Sequence, residues 1–204
     1  MPDKVALLLD GGFVKKKLQQ KLNAFPTPKN IVALCAEVMG KPRLASAILF
    51  RAFYYDAPPF EGKSQNPISR ATLNFSVTPE AQKNRALIDA LELEPDFAVR
   101  RGVIVHTGWK LGRAALKYLG KNTRAIMAGD LVPDMQQKGV DIRIGLDIAL
   151  LSLKRIVDIL VLVTGDSDFV PVMKFARQEG LKVYLEALGH PVRRELKAHA
   201  DFVL

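Results

Sequence analysis

Residues 156–169 read IVDILVLVTGDSDF. The first eight residues form an apolar run, interrupted by Asp158, that is typical of a buried strand. A glycine follows, and then Asp166 and Asp168 stand one residue apart where a helix is expected to begin. Like charges this close raise each other's pKa, and Mg²⁺ and Mn²⁺ prefer carboxylate oxygens. In open parallel sheets such sites form beyond the carboxyl ends of the strands, so the pair predicts a metal site there.

The same pattern opens the chain. An apolar strand over Lys4–Asp10 ends in Asp10-Gly11-Gly12, and a helix over Phe13–Leu22 follows, with apolar residues at i, i+4 and i+8 and lysines turned outward. Asp10 is therefore expected at the carboxyl end of a strand, as Asp166 is. If the two strands are neighbours, Asp10, Asp166 and Asp168 share one rim, but the sequence leaves that adjacency open.

Strands and helices alternate along the rest of the chain. This alternation predicts an α/β fold with a parallel sheet that is covered by helices on both faces. The predicted strands span residues 4–10, 44–55, 97–107 (bent at Gly102), 156–164, 181–188 and 202–204. The predicted helices span residues 13–22, 28–39, 79–93, 139–155, 168–179 and 191–200.

Length and composition favour one domain over residues 1–204. Residues 56–76 are predicted as a loop, and residues 109–137 as an insertion near the site. Cys35 is the one cysteine, which excludes internal disulfides and cysteine-rich zinc sites. No apolar segment approaches the ~20 residues that cross a bilayer, and the N-terminus lacks the pattern of a signal peptide. We therefore expect a cytoplasmic protein without membrane contact.

The formal net charge of +9 favours a polyanionic partner such as nucleic acid. An excess of bases around a few acids at strand ends suits a metal-dependent enzyme acting on phosphodiesters. Backbone contacts are expected from Lys15–Lys17, Arg100–Arg101, the 110–124 region and Arg193–Arg194. Base stacking is expected from Trp109, Tyr54 and Tyr55. For each of these residues alone, a solvated surface base or a core aromatic is the alternative.

Two further acids lie in the predicted helix that precedes the fourth strand. Asp141, in Lys138-Gly139-Val140-Asp141, is expected near the start of the preceding helix, where it is either an N-cap or a metal ligand. Asp147 lies further along this helix, on a polar stripe with Arg143 and Lys154 that could be an ion-pair face. Helical geometry turns Asp147 ~120° from Asp141, so we rank it below the other acids.

Taken together, these motifs resemble the NYN domain in its LabA-like branch, within the PIN-like ribonuclease superfamily. The segments that carry the resemblance are LLDG (8–11), KGVD (138–141) with Asp147, TGDSDFVP (164–171), GLKVY (180–184) and residues 196–202. The resemblance implies a Rossmann-like three-layer α/β/α sandwich with a mainly parallel central sheet. It also implies cleavage of RNA that depends on one or two Mg²⁺ or Mn²⁺ ions.

By position, the resemblance makes Asp10, Asp141, Asp166 and Asp168 the catalytic, metal-binding acids, with Asp147 as a further, weaker metal ligand. Lys138, Ser167 and Arg143 are the corresponding substrate-binding residues. Ser167 is expected to cap the helix rather than to act as a nucleophile. The family often has Asn where this chain has Phe13, so a polar group that could help position substrate is missing.

Other functions compete with a nuclease that prefers single-stranded RNA. An RNA-binding or regulatory module on the same fold, with little turnover, is the main alternative. A haloacid-dehalogenase-type phosphatase would need a second Asp where Gly12 stands, and Asp10-Gly11-Gly12 lacks the glycine spacing of a dinucleotide site. His106, His190 and His199 lie outside the acidic motifs.

A homodimer is a further expectation, on the general frequency of two-fold symmetry alone.

Overall fold

The computed structural model describes residues 1–204, and its centre is a six-stranded sheet in which every neighbouring pair runs parallel. This confirms the predicted α/β fold with a central parallel sheet. From one edge to the other the strands are β10 (Phe202–Val203), β9 (Lys182–Glu186), β8 (Ile159–Val163), β1 (Lys4–Asp10), β2 (Ile48–Asp56) and β5 (Phe97–Arg101).

Seven α-helices connect and cover the strands. They are α1 (Gly11–Leu22), α2 (Pro28–Met39), α3 (Pro79–Leu91), α4 (Arg113–Leu119), α5 (Val140–Leu153), α6 (Val170–Gln178) and α7 (Arg194–His199). Short 3-10 turns lie at Phe75–Val77, Ala128–Asp130 and Ser167–Phe169. None of the helices combines the length and the apolar composition that crossing a membrane requires.

The strand β1 shows why the fold has three layers. Its side chains alternate between the two faces: Leu7 and Leu9 pack with α1, α2 and α3, whereas Ala6 and Leu8 pack with α5, α6 and α7. All residues from Val5 to Leu9 are buried. A strand that is apolar on both sides is stable only between two helical layers, which is the arrangement expected of a buried parallel strand.

Two small antiparallel sheets of two strands each lie outside the main sheet and correct the sequence prediction. Residues 56–76, predicted as a loop, contain β3 (Lys63–Gln65) paired with β4 (Thr72–Asn74). The strand predicted over 97–107 is two strands, because β6 (Val103–Leu111) leaves the sheet and pairs with β7 (Leu131–Lys138). At the break, a Cβ on Gly102 would lie 2.6 Å from Val140 Cγ2, so the chain passes too close to α5 for a side chain.

Element ends differ from the prediction where local hydrogen bonds replace regular structure. The second strand begins at Ile48 rather than Leu44, because residues 41–46 form turns that bury Leu44. The helix predicted from Asp168 begins instead with a 3-10 turn, and α6 proper starts at Val170. Thr27 and Thr78 cap α2 and α3 through their side chains.

Candidate active site

The carboxyl ends of β1 and β8 lie side by side. These strands pair in parallel with Leu9 opposite Val163, so Asp10 at the end of β1 adjoins the Thr164–Asp168 segment that follows β8. The adjacency that the sequence left open is therefore observed, and it brings Asp10 and Asp166 to the same rim of the sheet.

Asp10 is held by one backbone and one side-chain hydrogen bond. Its Oδ1 accepts from the Phe13 amide at 3.2 Å, which caps α1, and its Oδ2 accepts from Thr164 Oγ1 at 3.1 Å. The same Thr164 oxygen accepts from the Asp166 amide at 3.2 Å. Thr164 is fully buried and links the two acids. The sequence does not predict this role, because Thr164 reads as the last residue of an apolar strand.

Asp166 and Asp168 are exposed at the 3-10 turn after β8. Asp166 Oδ1 accepts from the Asp168 amide at 3.0 Å, so Asp166 caps this turn. The expectation that Ser167 is the cap is wrong. Its hydroxyl instead accepts a hydrogen bond from Arg193 Nη1 at 3.2 Å, which ties the turn to the segment before α7.

Asp141 lies in the first turn of α5 but does not cap it. The cap is Gly139, whose φ of 76° is the left-handed conformation that favours glycine, and no side chain accepts a hydrogen bond there. The N-cap alternative for Asp141 is therefore wrong, and its exposed carboxylate is free of cap bonds. Lys138 is exposed at the end of β7, and Arg143 Nη1 donates to the Gly139 carbonyl at 2.6 Å.

Burial and mutual repulsion disfavour negative charge at this rim. Burial raises the pKa of Asp10, and the carboxylates of Asp141 and Asp166 raise it further, although the bonds from Phe13 and Thr164 act in the opposite direction. The pKa of Asp141 is also raised, first by the partial burial of this largely exposed group and then by the charges of Asp166 and Asp168. Asp10 and Asp141 therefore each sense the charge of neighbouring carboxylates, as expected of groups that share a site.

The donor set suits a divalent cation, but its oxygens are not gathered into a finished coordination sphere. In this structure no three Asp, Glu, His or Cys side chains are grouped closely enough to hold a metal ion. The residues nevertheless fit a hard cation in kind, because all four donors are carboxylates and a positive ion would offset the burial and the repulsion that raise the pKa of Asp10 and Asp141. Each oxygen of Asp10 also keeps acceptor capacity beyond its one hydrogen bond.

Asp147 faces different partners from those expected. Its Oδ2 accepts from Tyr55 Oη at 2.9 Å and from Arg100 Nε at 2.9 Å, so the ion-pair stripe with Arg143 and Lys154 is not formed. Arg100 neutralises this carboxylate, and neither the pKa of Asp10 nor that of Asp141 is shifted by it.

Several of the expected substrate contacts are engaged within the protein. Tyr54 and Tyr55 are fully buried, so the expectation that they stack on bases is wrong. Trp109 Nε1 donates to Ser64 Oγ at 2.9 Å. The basic side chains already paired with an acid include Lys15 with Asp56, Arg100 with Asp147, Arg101 with Asp89 and Glu92, Lys110 with Asp134, and Arg124 with Asp130.

A buried acid at the end of β2 was also missed. Asp56 continues the rim beside Asp10, and its Oδ2 lies 2.5 Å from Lys15 Nζ and 3.3 Å from Tyr54 Oη. Lys15 also donates to Asn84 Oδ1 at 2.7 Å. The position of Asp56 directly after the second predicted strand could have indicated its role, but the sequence analysis assigns this residue to the loop that follows.

Phe13 forms part of an aromatic edge beside the acidic rim. Its ring meets that of His190 edge-on at 5.9 Å, and Lys17 Nζ lies 3.0 Å from His190 Nδ1. A Cβ on Gly165 would lie 2.8 Å from both rings, so they cover the glycine that precedes Asp166. At the position where the family often has Asn, this chain therefore has Phe13, whose ring packs against His190.

Comparison with known proteins supports both the family and the fold. The model of the NYN domain family matches residues 23–203. A crystal structure of a protein of unknown function from Vibrio parahaemolyticus is similar in fold, with a TM-score of 0.54 at 16% identity, over 100% of this chain and 92% of that one. A comparison with curated proteins gave no match.

Proposed function

Since this chain belongs to the NYN domain family, a family of PIN-like nucleases, we propose that it is a Mg²⁺- or Mn²⁺-dependent endoribonuclease of the LabA-like branch. The single observation that carries the proposal is the parallel pairing of β1 with β8. This pairing sets Asp10 beside Asp166 at one rim, where burial and neighbouring carboxylates raise the pKa of Asp10. The site would belong to one domain over residues 1–204.

The acids Asp10, Asp141, Asp166 and Asp168 would hold one or two divalent ions. A bound ion of this kind supplies an activated water and stabilises negative charge on phosphate oxygens. Asp147 is the least favoured metal ligand among the predicted acids, because its carboxylate already accepts hydrogen bonds from Tyr55 and Arg100.

The remaining groups of the site orient these acids and bind RNA. Thr164 holds Asp10 by donating to Oδ2 and holds the backbone at Asp166 by accepting its amide proton. Exposed Lys138 is available to a phosphate, whereas Arg143 and Ser167 bind within the protein and would act on substrate by fixing Gly139 and Arg193. Local positive charge of this kind attracts a nucleic-acid backbone without reading its sequence.

Single-stranded RNA is the substrate that the surroundings of the rim favour. Phe13 and the exposed ring of His190 lie beside Gly165, where an unpaired base could stack. The bases of a duplex are already stacked on their neighbours and would not offer a face to this edge.

One observation favours a second function, that of an RNA-binding module with little turnover. The carboxylates are not grouped closely enough to hold a metal ion in this structure. Binding without cleavage would follow if they remain apart when RNA is bound.

Cleavage of end-labelled single-stranded RNA in Mn²⁺, Mg²⁺ or EDTA separates the two functions. The nuclease proposal predicts internal cuts that need the metal and disappear in Asp166→Asn. Intact RNA in every lane, together with a gel shift that Asp166→Asn retains, would reject the nuclease and support the binding module.

A further inference from the structure

The outward face of α5 carries a continuous row of exposed apolar side chains. Ile142, Leu146, Leu150 and Leu153 recur at i, i+4, i+8 and i+11, and they are 65%, 64%, 44% and 63% exposed. The opposite face of α5 is buried against the sheet. A helix that is apolar on all sides is typically covered on all sides, so the exposed row lacks a partner.

The charges of α5 do not interrupt this row. Asp141, at the N-terminal end, lies beyond it. Asp147 is engaged by Tyr55 and Arg100, and Arg143 donates to the carbonyl at the start of the helix. From Ile148 to Leu153, α5 carries no charged residue. Contiguous exposed apolar surface of this kind marks a site of association, whereas single exposed apolar residues do not.

We propose that a second copy of this chain covers the row, through antiparallel pairing of the two α5 helices about a two-fold axis. The spacing is self-complementary for this symmetry. With the axis between Leu146 and Leu150, Leu146 meets Leu150 of the second copy, and Ile142 meets Leu153 of the second copy. An interface that is repeated by a two-fold axis needs this property.

The charges at the ends of α5 select the antiparallel arrangement. Asp141 stands at the N-terminal end, and the exposed Lys154 and Arg155 follow the C-terminal end. Antiparallel pairing sets Asp141 against Arg155 of the second copy and opposes the two helix dipoles, whereas parallel pairing would set like charges together. Charge and apolar spacing therefore point to the same geometry.

The proposed dimer would also place two cations beside each acidic rim. Lys154 and Arg155 of one copy approach the end of α5 where Asp141 of the other copy lies. The association itself does not rest on the proposed nuclease function.

Sedimentation velocity over a range of protein concentrations tests the proposal. We expect a dimer for the wild type and for Leu93→Glu, a matched substitution at a leucine that is 87% exposed outside α5. Leu146→Glu should raise the dimer dissociation constant at least about a hundredfold, because the two-fold axis repeats the introduced charge in the interface. Leu146→Ala should weaken the dimer less, and circular dichroism checks that each variant is folded.

A wild type that remains monomeric at its highest attainable concentration would overturn the proposal, as would a folded Leu146→Glu variant that dimerises like the wild type. Replacing Lys154 and Arg155 together by Glu tests the orientation. Weakened association supports the antiparallel pairing, and unchanged or tighter association contradicts it. None of these outcomes depends on RNA cleavage, so the proposed nuclease can fail while the dimer stands.

Discussion

Thr164 is the residue on which the geometry of the acidic rim depends most directly. Its single hydroxyl donates to Asp10 and accepts from the Asp166 amide, so it couples β1 to the turn after β8. Groups that orient metal-binding side chains typically change metal affinity or activity about 10–100-fold when they are removed.

We expect Thr164→Val to lower the rate of RNA cleavage by about 10–100-fold and the free energy of unfolding by about 1 kcal/mol. The valine keeps the shape of the buried side chain but neither hydrogen bond. Thr164→Ser keeps the hydroxyl and should remain near wild-type activity. Initial cleavage rates and urea denaturation measure the two effects, and a fully active Thr164→Val variant would contradict the role given to this hydroxyl.

The raised pKa of Asp10 predicts how the stability of the metal-free protein changes with pH. A carboxyl whose pKa is higher in the folded state favours folding below its unfolded-state pKa, and this contribution is lost as the pH rises through the folded-state pKa. We therefore expect Asp10→Asn to be more stable than the wild type near neutral pH, and this gain to vanish toward about pH 4. Urea denaturation at several pH values measures the gain.

Asp134 provides the matched control, because its pKa is shifted in the opposite direction from that of Asp10. Its pKa is lowered, chiefly by the hydrogen bond from Lys110, so its contribution is present above the unfolded-state pKa and is lost as the pH falls through the folded-state pKa. Asp134→Asn should therefore be less stable than the wild type near neutral pH. A loss of stability in Asp10→Asn under the same conditions would contradict the raised pKa of Asp10 that burial and the neighbouring carboxylates produce.

At the scale of elements, the chain passes close to β2 at the junction of β1 and α1. A Cβ on Gly11 would lie 2.6 Å from the Tyr55 carbonyl oxygen and 2.9 Å from Tyr54 Cζ. A Cβ on Gly12 would lie 3.5 Å from Asp10 Oδ1, which is an ordinary contact.

These adjacent glycines therefore predict opposite outcomes. Gly11→Ala should cost about 1–3 kcal/mol, because the backbone of β2 cannot yield without moving the core. Gly12→Ala should be neutral or stabilising by up to about 1 kcal/mol, since it replaces glycine in an α-helix. Thermal and urea unfolding of both variants measure the difference, and equal stability would refute the close approach.

An ion pair between α1 and β2 leads to a second prediction about these elements. Lys15 and Asp56 form an ion pair in which the carboxylate is almost fully buried. Lys15→Met should lower the free energy of unfolding by about 3 kcal/mol, because it leaves the Asp56 charge without its partner. Lys16→Met, at an exposed position on the same helix, should change it by no more than about 0.5 kcal/mol in urea denaturation. A similar effect of both variants would contradict this account.

The same elements show how far the sequence could predict the structure. The order of strands and helices followed from apolar periodicity, because β1 and β8 are buried on both faces and leave an unmistakable apolar run. The separation of β6 from β5 did not follow, since the alternating pattern of residues 97–107 continues across Gly102. The break depends on the approach of Val140, a contact across the fold that no local pattern contains.

The candidate site was predictable in composition but not in arrangement. The sequence predicts Asp10, Asp166 and Asp168 as site residues because acids that follow apolar strands are conspicuous, and the structure brings Asp10 beside the segment that contains the other two. Thr164 and Asp56 were missed because their importance lies in buried hydrogen bonds and ion pairs between distant segments. The prediction that Tyr54 and Tyr55 stack on bases is wrong because the local sequence of β2 does not reveal that both of its faces are covered.

At the scale of the whole molecule, a basic protein concentrates four acids at one rim of its sheet. The net charge of +9 attracts a polyanion over the surface, whereas the rim itself repels one unless a cation is present. The proposed function therefore requires the metal and the RNA backbone to meet at the carboxyl ends of β1 and β8.

The initial rate of RNA cleavage by Asp10→Asn at saturating Mn²⁺, measured beside Asp134→Asn, tests this claim most directly. We predict a loss of at least about a hundredfold for Asp10→Asn, in a protein that is folded and still shifts RNA on a gel, and a near wild-type rate for Asp134→Asn. Wild-type cleavage by Asp10→Asn, or an equal loss in both variants, would contradict a reaction centred on the acidic rim.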